Sequence, residues 1–304
     1  MILSELSSDE VAGRARGGAL ALWCGPFVVR VASAIPAVAR GIHLLYADHA
    51  LADDADFADV CVTIAPPPGL RAWLRPQVEF TFGGERPMTP LALDQAFPLF
   101  EWALNWSIAS TANHYLILHA AVIEREGRVL IMPGPPGSGK STLTAALVNS
   151  GWRLFSDELT LIDTERTEIV PVPRPISLKN QSIATIRGLF PQALLSEVVH
   201  NTQKGSVAHM RPLREHIQRA ADAAGPGWVV FPEFAHGAGA TLVPRAKADT
   251  LLQLGSNAFN YHVHGVAGFE ALATIVDHSR CFDFPYGDLA EAIRLFDDLS
   301  SQAP

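Results

Sequence analysis

Residues 134–141 read Gly-Pro-Pro-Gly-Ser-Gly-Lys-Ser, the pattern G-x-x-x-x-G-K-[ST]. No other stretch constrains the fold as tightly, because this octapeptide works only when a strand feeds it and a helix follows it. Gly134, Gly137 and Gly139 let the backbone curl and turn its N–H groups inward onto phosphate oxygens. Both flanks suit the motif. Arg128 to Met132 reads as a buried strand, and Ser141 to Val148 as a helix whose N-terminus attracts anions. Lys140 supplies a point charge for the β- and γ-phosphates, and Ser141 a hydroxyl for Mg²⁺. Gly134, Pro135, Pro136, Gly137, Ser138, Gly139, Lys140, Ser141 and Thr142 are therefore expected to hold ATP with Mg²⁺. The bland alternative is a glycine-rich turn with an incidental lysine.

Composition narrows what surrounds the loop. The 304 residues suffice for two ordinary domains, and 48% hydrophobic with 18% charged residues allows a large core. A net charge of −8, without any Lys/Arg run, disfavours a nucleic-acid partner. Cys24, Cys61 and Cys281 are odd in number and far apart, which reads as reduced, mostly buried thiols. The eleven histidines show no metal-ligand spacing. Arg14 and Arg16 before the apolar stretch Gly17 to Val29, with Ala32-Ser33-Ala34 beyond, imitate a secretory signal. Glu5, Asp9 and Glu10 make the start acidic, and Arg30 interrupts the pattern, so the stretch is read as a core strand of a cytoplasmic protein. No apolar run is long enough to cross a bilayer without a charge, so no membrane partner is expected.

The expected architecture is α/β, with a smaller α+β N-terminal region at 1–112 and the domain built around the loop at 113–304. Phe27 to Val31, Val60 to Ile64 and Gln77 to Phe82 read as strands, with Gly83-Gly84 as a turn. Leu91 to Thr111 reads as a helix with Phe97, Phe100, Leu104 and Ile108 on one face. Its aromatic cluster (Phe97, Phe100, Trp102, Trp106) is core or domain contact rather than a ligand cage. Tyr115 to Glu124, Trp152 to Phe155, Trp228 to Phe231 and Thr241 to Val243 are further strands. Leu159 to Asp163 and Glu168 to Val172 form a hairpin around Thr164. Helices are expected at Arg214 to Ala224, Lys247 to Phe259, Gly268 to His278 and Leu289 to Leu299. Residues 173–212 read as loops with short helical pieces, contributing to the mouth of the site.

Acids and bases near the loop decide the chemistry. Asp157 and Glu158 lie 16 and 17 residues past Ser141, at the end of the strand after the loop helix. That places them at the strand's carboxyl edge, where a carboxylate holds Mg²⁺ or takes a proton from a hydroxyl. The structural alternative is a capping Asp with a surface Glu. His119 lies 15 residues before Gly134, on the strand preceding the loop strand. A lone histidine in an apolar strand is commonly a core residue; its place beside the loop strand favours a functional one. Arg174, Lys179, Lys204, His209 and Arg211 add positive charge, and Thr202 to Arg211 carries a glycine hinge. Lys204 and Arg211 are expected to clamp the nucleotide from a mobile loop.

The run His119-Ala120-Ala121-Val122, then Gly134 to Ser141, then Gly151-Trp152-Arg153-Leu154-Phe155-Ser156-Asp157-Glu158 resembles the core of bacterial HPr kinase/phosphorylase. That family has a His-Gly pair, a phosphate loop, a helix, then Gly-His-Arg-Leu-Val-(small)-Asp-Asp at matching spacings. The resemblance covers about 115–165. It implies a fold related to phosphoenolpyruvate carboxykinases, Asp157 as the base accepting a serine proton, and His119 near the transferred phosphate. Lys140 and Ser141 keep the roles derived above. The family also has a metal-binding Glu before Ile-Arg-Gly-Leu-Gly, where this chain has Thr185 before Ile186-Arg187-Gly188-Leu189. Either that match is fortuitous, or one Mg²⁺ ligand is missing and Glu158 takes its place. With the N-terminal region unmatched, the chain looks more like HPr-kinase-related kinases, some of which phosphorylate a precursor peptide. The metal set is then Ser141, Asp157 and Glu158, the acceptor a protein or peptide, and the assembly a homo-oligomer.

Four classes follow. A degenerate kinase-like interaction protein, suggested by Thr185, is opposed by the intact Lys140, Ser141 and Asp157. Three others remain. The first is a kinase of a protein or peptide hydroxyl, favoured because some 133 residues precede the loop and suit macromolecular recognition. The second is a small-molecule kinase. The third is an ATPase or nucleotide switch, to which Leu154 to Glu158 lends a superficial Walker B likeness without an L-S-G-G-Q signature.

Overall fold

The computed structural model describes residues 1–53, 56–69 and 76–302. It is mixed α/β, and the chain divides into two compact units. The first holds Met1–Ala112, Ser177–Ile183 and Leu194–Gln218; the second holds Asn113–Ile176, Ala184–Ala193 and Arg219–Pro304. No helix among the described residues is long and apolar enough to cross a membrane.

The first unit opens with α1 (Ser8–Arg16), β1 (Leu20–Cys24), β2 (Phe27–Ala32) and α2 (Pro36–Leu45). β3 (Val60–Ala65), β4 (Gln77–Thr81), β5 (Leu91–Ala92) and α3 (Ala96–Thr111) follow. Helix α1 starts on a capping box, with Ser7 and Glu10 each satisfying the other's backbone N–H. The apolar stretch at 17–29 is not one core strand. It spans β1 and the start of β2, an antiparallel hairpin that turns at Gly25. β2 runs parallel to β3, with α2 as the crossover, and the sheet order is β1-β2-β3-β4-β5. The expected helix from Leu91 begins only at Ala96, because Leu91–Ala92 pairs with β4 first. Its face of Phe97, Phe100, Leu104 and Ile108 is buried as patterned. Gly41 of α2 packs so closely on α3 that a Cβ there would lie 2.1 Å from the Phe97 ring.

The chain then builds β6 (Leu116–Arg125), β7 (Arg128–Pro133), α4 (Lys140–Val148), β8 (Arg153–Ser156), β9 (Leu159–Asp163) and β10 (Glu168–Val170). Next come β11 (Ile176–Lys179), α5 (Gln181–Leu189), β12 (Val199–Thr202), β13 (Gly205–Met210) and the short α6 (Arg214–Gln218). The last elements are β14 (Gly225–Phe234), β15 (Val243–Pro244), α7 (Lys247–Ser256), α8 (Tyr261–Asp277), β16 (Arg280–Tyr286) and α9 (Leu289–Ser301). Residues 173–212 are therefore not mainly loop: β11, β13 and β12 make a three-stranded sheet. Its polar composition hides the strand because one edge of β12 is exposed, while Val207 to Met210 are buried. The helix expected from Arg214 to Ala224 ends at Gln218.

The second unit's sheet runs β10-β9-β6-β7-β14-β16-β15, with β8 also on β6. β7, β14 and β16 are parallel at its centre. One face is covered by α7 and α8: Leu254, Leu272, Ile275 and Val276 pack on Leu118, Ile131, Val229 and Cys281. Residues of opposite parity face α9. There Phe296 meets Phe284 at 4.9 Å and Trp152 at 6.3 Å between ring centroids. A buried ion pair joins β8 to β6. The Arg153 guanidinium donates to Glu124, to the carbonyls of Arg219 (2.9 Å) and Asp222 (3.0 Å), and lies over Phe155. Burial lowers the Arg153 pKa from its ordinary value, against the pull of Glu124.

Candidate functional site

The glycine-rich loop leaves β7 at Pro133 and enters α4 at Lys140, over the carboxyl ends of the central parallel strands. Neighbouring strands brace it. The Phe234 N–H, at the end of β14, donates to the Ser138 carbonyl at 3.1 Å. The Tyr286 hydroxyl, at the end of β16, donates to the Gly139 carbonyl at 3.1 Å. Gly139 has φ 91° as the N-cap of α4, and a Cβ there would lie 2.2 Å from the Tyr286 oxygen. Burial raises the Tyr286 pKa, so the phenol stays a hydrogen-bond donor. The Lys140 ammonium is buried and donates to the Gly134 carbonyl within the loop. Pro135, Pro136 and Gly137 are exposed at the tip, while Ser138, Ser141 and Thr142 are half-buried.

Strand β6 gathers the other candidates at the level where the loop departs. On one side Ala120 pairs with Pro133, the residue before Gly134. Past that point β7 has turned away, and Asn257 to Phe259 continue the ladder, with Leu118 opposite Ala258. On the other side β8 and β9 follow one another along β6: Val122 faces Ser156 and His119 faces Leu159. Asp157 and Glu158 bulge out between them. As expected, they follow directly on the carboxyl end of β8; the chain then steps out of the ladder and resumes as β9 on the same neighbour. Two hydroxyls make that possible. Ser156 Oγ accepts from Leu159 N (3.0 Å) and Glu158 N (3.4 Å), and Thr160 Oγ1 donates to the Ala120 carbonyl (3.2 Å).

His119 thus sits between the start of the loop and the acidic pair. Its Nδ1 is 3.7 Å from Glu158 Oε2, and its ring meets Phe259 edge-on at 5.8 Å. Asp157 is 6% exposed; the side chains of His119 and Glu158 retain 31% and 23% exposure, so solutes reach them more readily than Asp157. Ser141, Asp157 and Glu158 offer only oxygen donors, the chemistry Mg²⁺ prefers, and Mg²⁺ is commonly held by one or two carboxylates plus phosphates and waters. Among the described residues no group of three His, Cys, Asp or Glu side chains is placed to hold a metal. These residues fit a metal that arrives with phosphate better than one caged by protein alone.

The remaining sequence candidates fall elsewhere. Arg174 is buried in the second unit. Lys179, Lys204, His209 and Arg211 belong to the first unit, so the structure does not gather them with the loop in one unit. Arg211 forms an ion pair with Asp48, and the Lys204 ammonium lies 4.7 Å from the Trp102 ring centroid. His209 is a core residue, 1% exposed and edge-on to Phe97 at 5.4 Å. The stretch Thr202 to Arg211, expected to be a mobile loop, is the β12–β13 turn and strand β13, with the Gly205 hinge at φ 82° forming that turn. Thr185, where the resembled family has its glutamate, is half-buried in α5.

Sequence reasoning missed Phe234, Tyr286, Ser156 and Thr160. Tyr286 stands on a strand not foreseen, because Asp283 and Pro285 interrupt its apolar run. The alternation of Phe282, Phe284 and Tyr286 was a usable signal for that strand, yet nothing local says that it ends beside the loop. No protein-family model matches the chain, and no curated protein matches it.

Proposed function

We propose that this chain is an ATP-dependent kinase that transfers the γ-phosphate to a serine-type hydroxyl of a protein or peptide. The second unit would then be a P-loop domain of the HPr kinase/phosphoenolpyruvate carboxykinase type. The observation that carries the reading is the register of β6, which brings His119, the Asp157–Glu158 bulge and the root of the glycine loop to one level of one sheet. A phosphate loop alone is compatible with hydrolysis or switching. A buried carboxylate across β6 from it supplies what a hydroxyl acceptor needs, a base near the transferred group.

In this mechanism Asp157 takes the proton of the attacking hydroxyl. Lys140 and the loop N–H groups stabilise charge on the phosphates, and His119 adds a donor near the transferred group, its ring steadied by Phe259 and Glu158. Ser141, Asp157 and Glu158 would hold Mg²⁺, which when bound neutralises the β- and γ-oxygens. Catalysis is mostly positioning and electrostatics. The N-terminal unit is assigned to recognition of the acceptor.

The test is incubation of the protein and its Asp157→Asn variant with γ-labelled ATP and cell extract. Label on a polypeptide, reduced about 10²–10⁴-fold in the variant while ATP still binds, is the expected result. Label on a small metabolite points to a small-molecule kinase, and free phosphate alone to an ATPase. Binding without turnover points to a nucleotide switch.

A further inference from the structure

Phe234 does two things that need separate explanations. Its backbone N–H holds the Ser138 carbonyl, and its own place is fixed by the ladder to Tyr286 and by the Ala235 N–H on the Tyr286 carbonyl (2.9 Å). Any residue with an N–H would serve there. Its side chain is nonetheless a phenyl ring left 39% exposed at the rim of the loop, its Cβ 3.0 Å from where a Cβ on Gly139 would lie. Single exposed apolar residues are ordinary on a surface; this one is held rigidly against the phosphate loop. The ring is supported edge-on by Tyr286 (5.5 Å, 68°) and by the exposed His236 (5.1 Å, 75°). The segment that follows is glycine-rich, and a Cβ added at Gly237 or Gly239 would meet nothing within 4 Å.

A nucleotide held by its phosphates on the loop leaves its sugar and base projecting past the rim. We propose that Phe234, supported by Tyr286 and flanked by His236, is the platform on which that nucleobase stacks. This rests on the reading of Gly134 to Ser141 as a nucleotide loop. Stacking on an aromatic face is tolerant of base identity and is lost when the ring is removed. The site therefore takes any nucleobase, and its contribution is absent for a ligand with no base.

Tripolyphosphate supplies that ligand. Calorimetric titration of the full chain with Mg·ATP and with Mg·tripolyphosphate, for wild type, Phe234→Ala, Phe234→Trp and Lys140→Ala, separates the two readings. Expected are binding of both ligands by wild type, loss of both in Lys140→Ala, and an ATP affinity about tenfold weaker in Phe234→Ala. In that variant tripolyphosphate affinity is unchanged, which also shows that the site is still folded, and Phe234→Trp restores ATP binding. Unchanged ATP affinity in Phe234→Ala overturns the platform. Equal weakening of both ligands also overturns it, since the ring would then only shape the loop. If wild type binds neither ligand, the nucleotide loop itself fails, and the platform with it.

Discussion

Gly137 and Gly139 share a φ of 91°, yet their surroundings differ, and that pair isolates one physical effect. Placing alanine at either forces an L residue into the left-handed region, at about 1–2 kcal/mol, partly offset by the reduced entropy of the unfolded chain. At Gly137 the added Cβ meets nothing within 4 Å, so the net loss is about 1 kcal/mol. At Gly139 it would lie 2.2 Å from the Tyr286 oxygen, 3.1 Å from its Cζ and 3.0 Å from the Phe234 Cβ. Tyr286 has little room to retreat: it is 1% exposed, stacked on Phe284 at 5.2 Å and set against Phe234 at 5.5 Å. Overpacking of that kind costs about 1–3 kcal/mol, and the lost bond to the Gly139 carbonyl about 1 more. Gly139→Ala is therefore expected to lose about 2–4 kcal/mol more than Gly137→Ala. Urea unfolding with native-state hydrogen exchange at β14 and β16 amides assigns that loss to the second unit. Adding Tyr286→Phe to Gly139→Ala removes the nearest clashing atom and should recover part of it. Equal losses for the two alanine variants, or no recovery in the double variant, would refute the reasoning.

Two further predictions concern stability. Arg153→Leu leaves Glu124 buried without its main partner, and is expected to cost about 3–5 kcal/mol by chemical denaturation. An Arg153→Leu/Glu124→Leu pair should recover much of that, because neither charge then remains buried. The raised Tyr286 pKa makes a prediction at high pH. With the folded value above the unfolded one, its contribution is whole below the ordinary phenol pKa of about 10 and declines as pH rises beyond it. Unfolding free energies measured from pH 8 to 11 should fall more steeply in wild type than in Tyr286→Phe. Parallel curves would rule out that contribution.

Much of the second unit was legible because local signals agreed. Arg128 to Met132 needed only a run of apolar residues before glycines to read as a strand, and the loop helix needed only its place after Lys140. Leu159 to Asp163 and Glu168 onward form the expected hairpin. The N-terminal helix is written in the Ser7–Glu10 capping box, a signal that the acidic reading of Glu5, Asp9 and Glu10 leaves unused. Thr202 to Arg211 misled because glycine and positive charge describe an exposed turn as well as they describe a moving loop. Strand partners are distant in sequence, and no local pattern says that His209 will lie under Phe97.

The sequence alone determined which residues are candidates for phosphate chemistry: the octapeptide, its flanking strand and helix, a histidine before it and two carboxylates after it. These are properties of residue type and short spacing. Only the tertiary structure decided how they meet. Register along β6 set His119 between the loop and the acidic bulge, and the Ser156 and Thr160 hydroxyls took up the Glu158 and Leu159 N–H groups and the Ala120 carbonyl beside it. Sheet order brought Phe234 and Tyr286 from about a hundred and about a hundred and fifty residues away to hold the loop's backbone. Pairing across such distances is settled by which arrangement buries the apolar faces and satisfies every backbone group together, and no single segment carries that information.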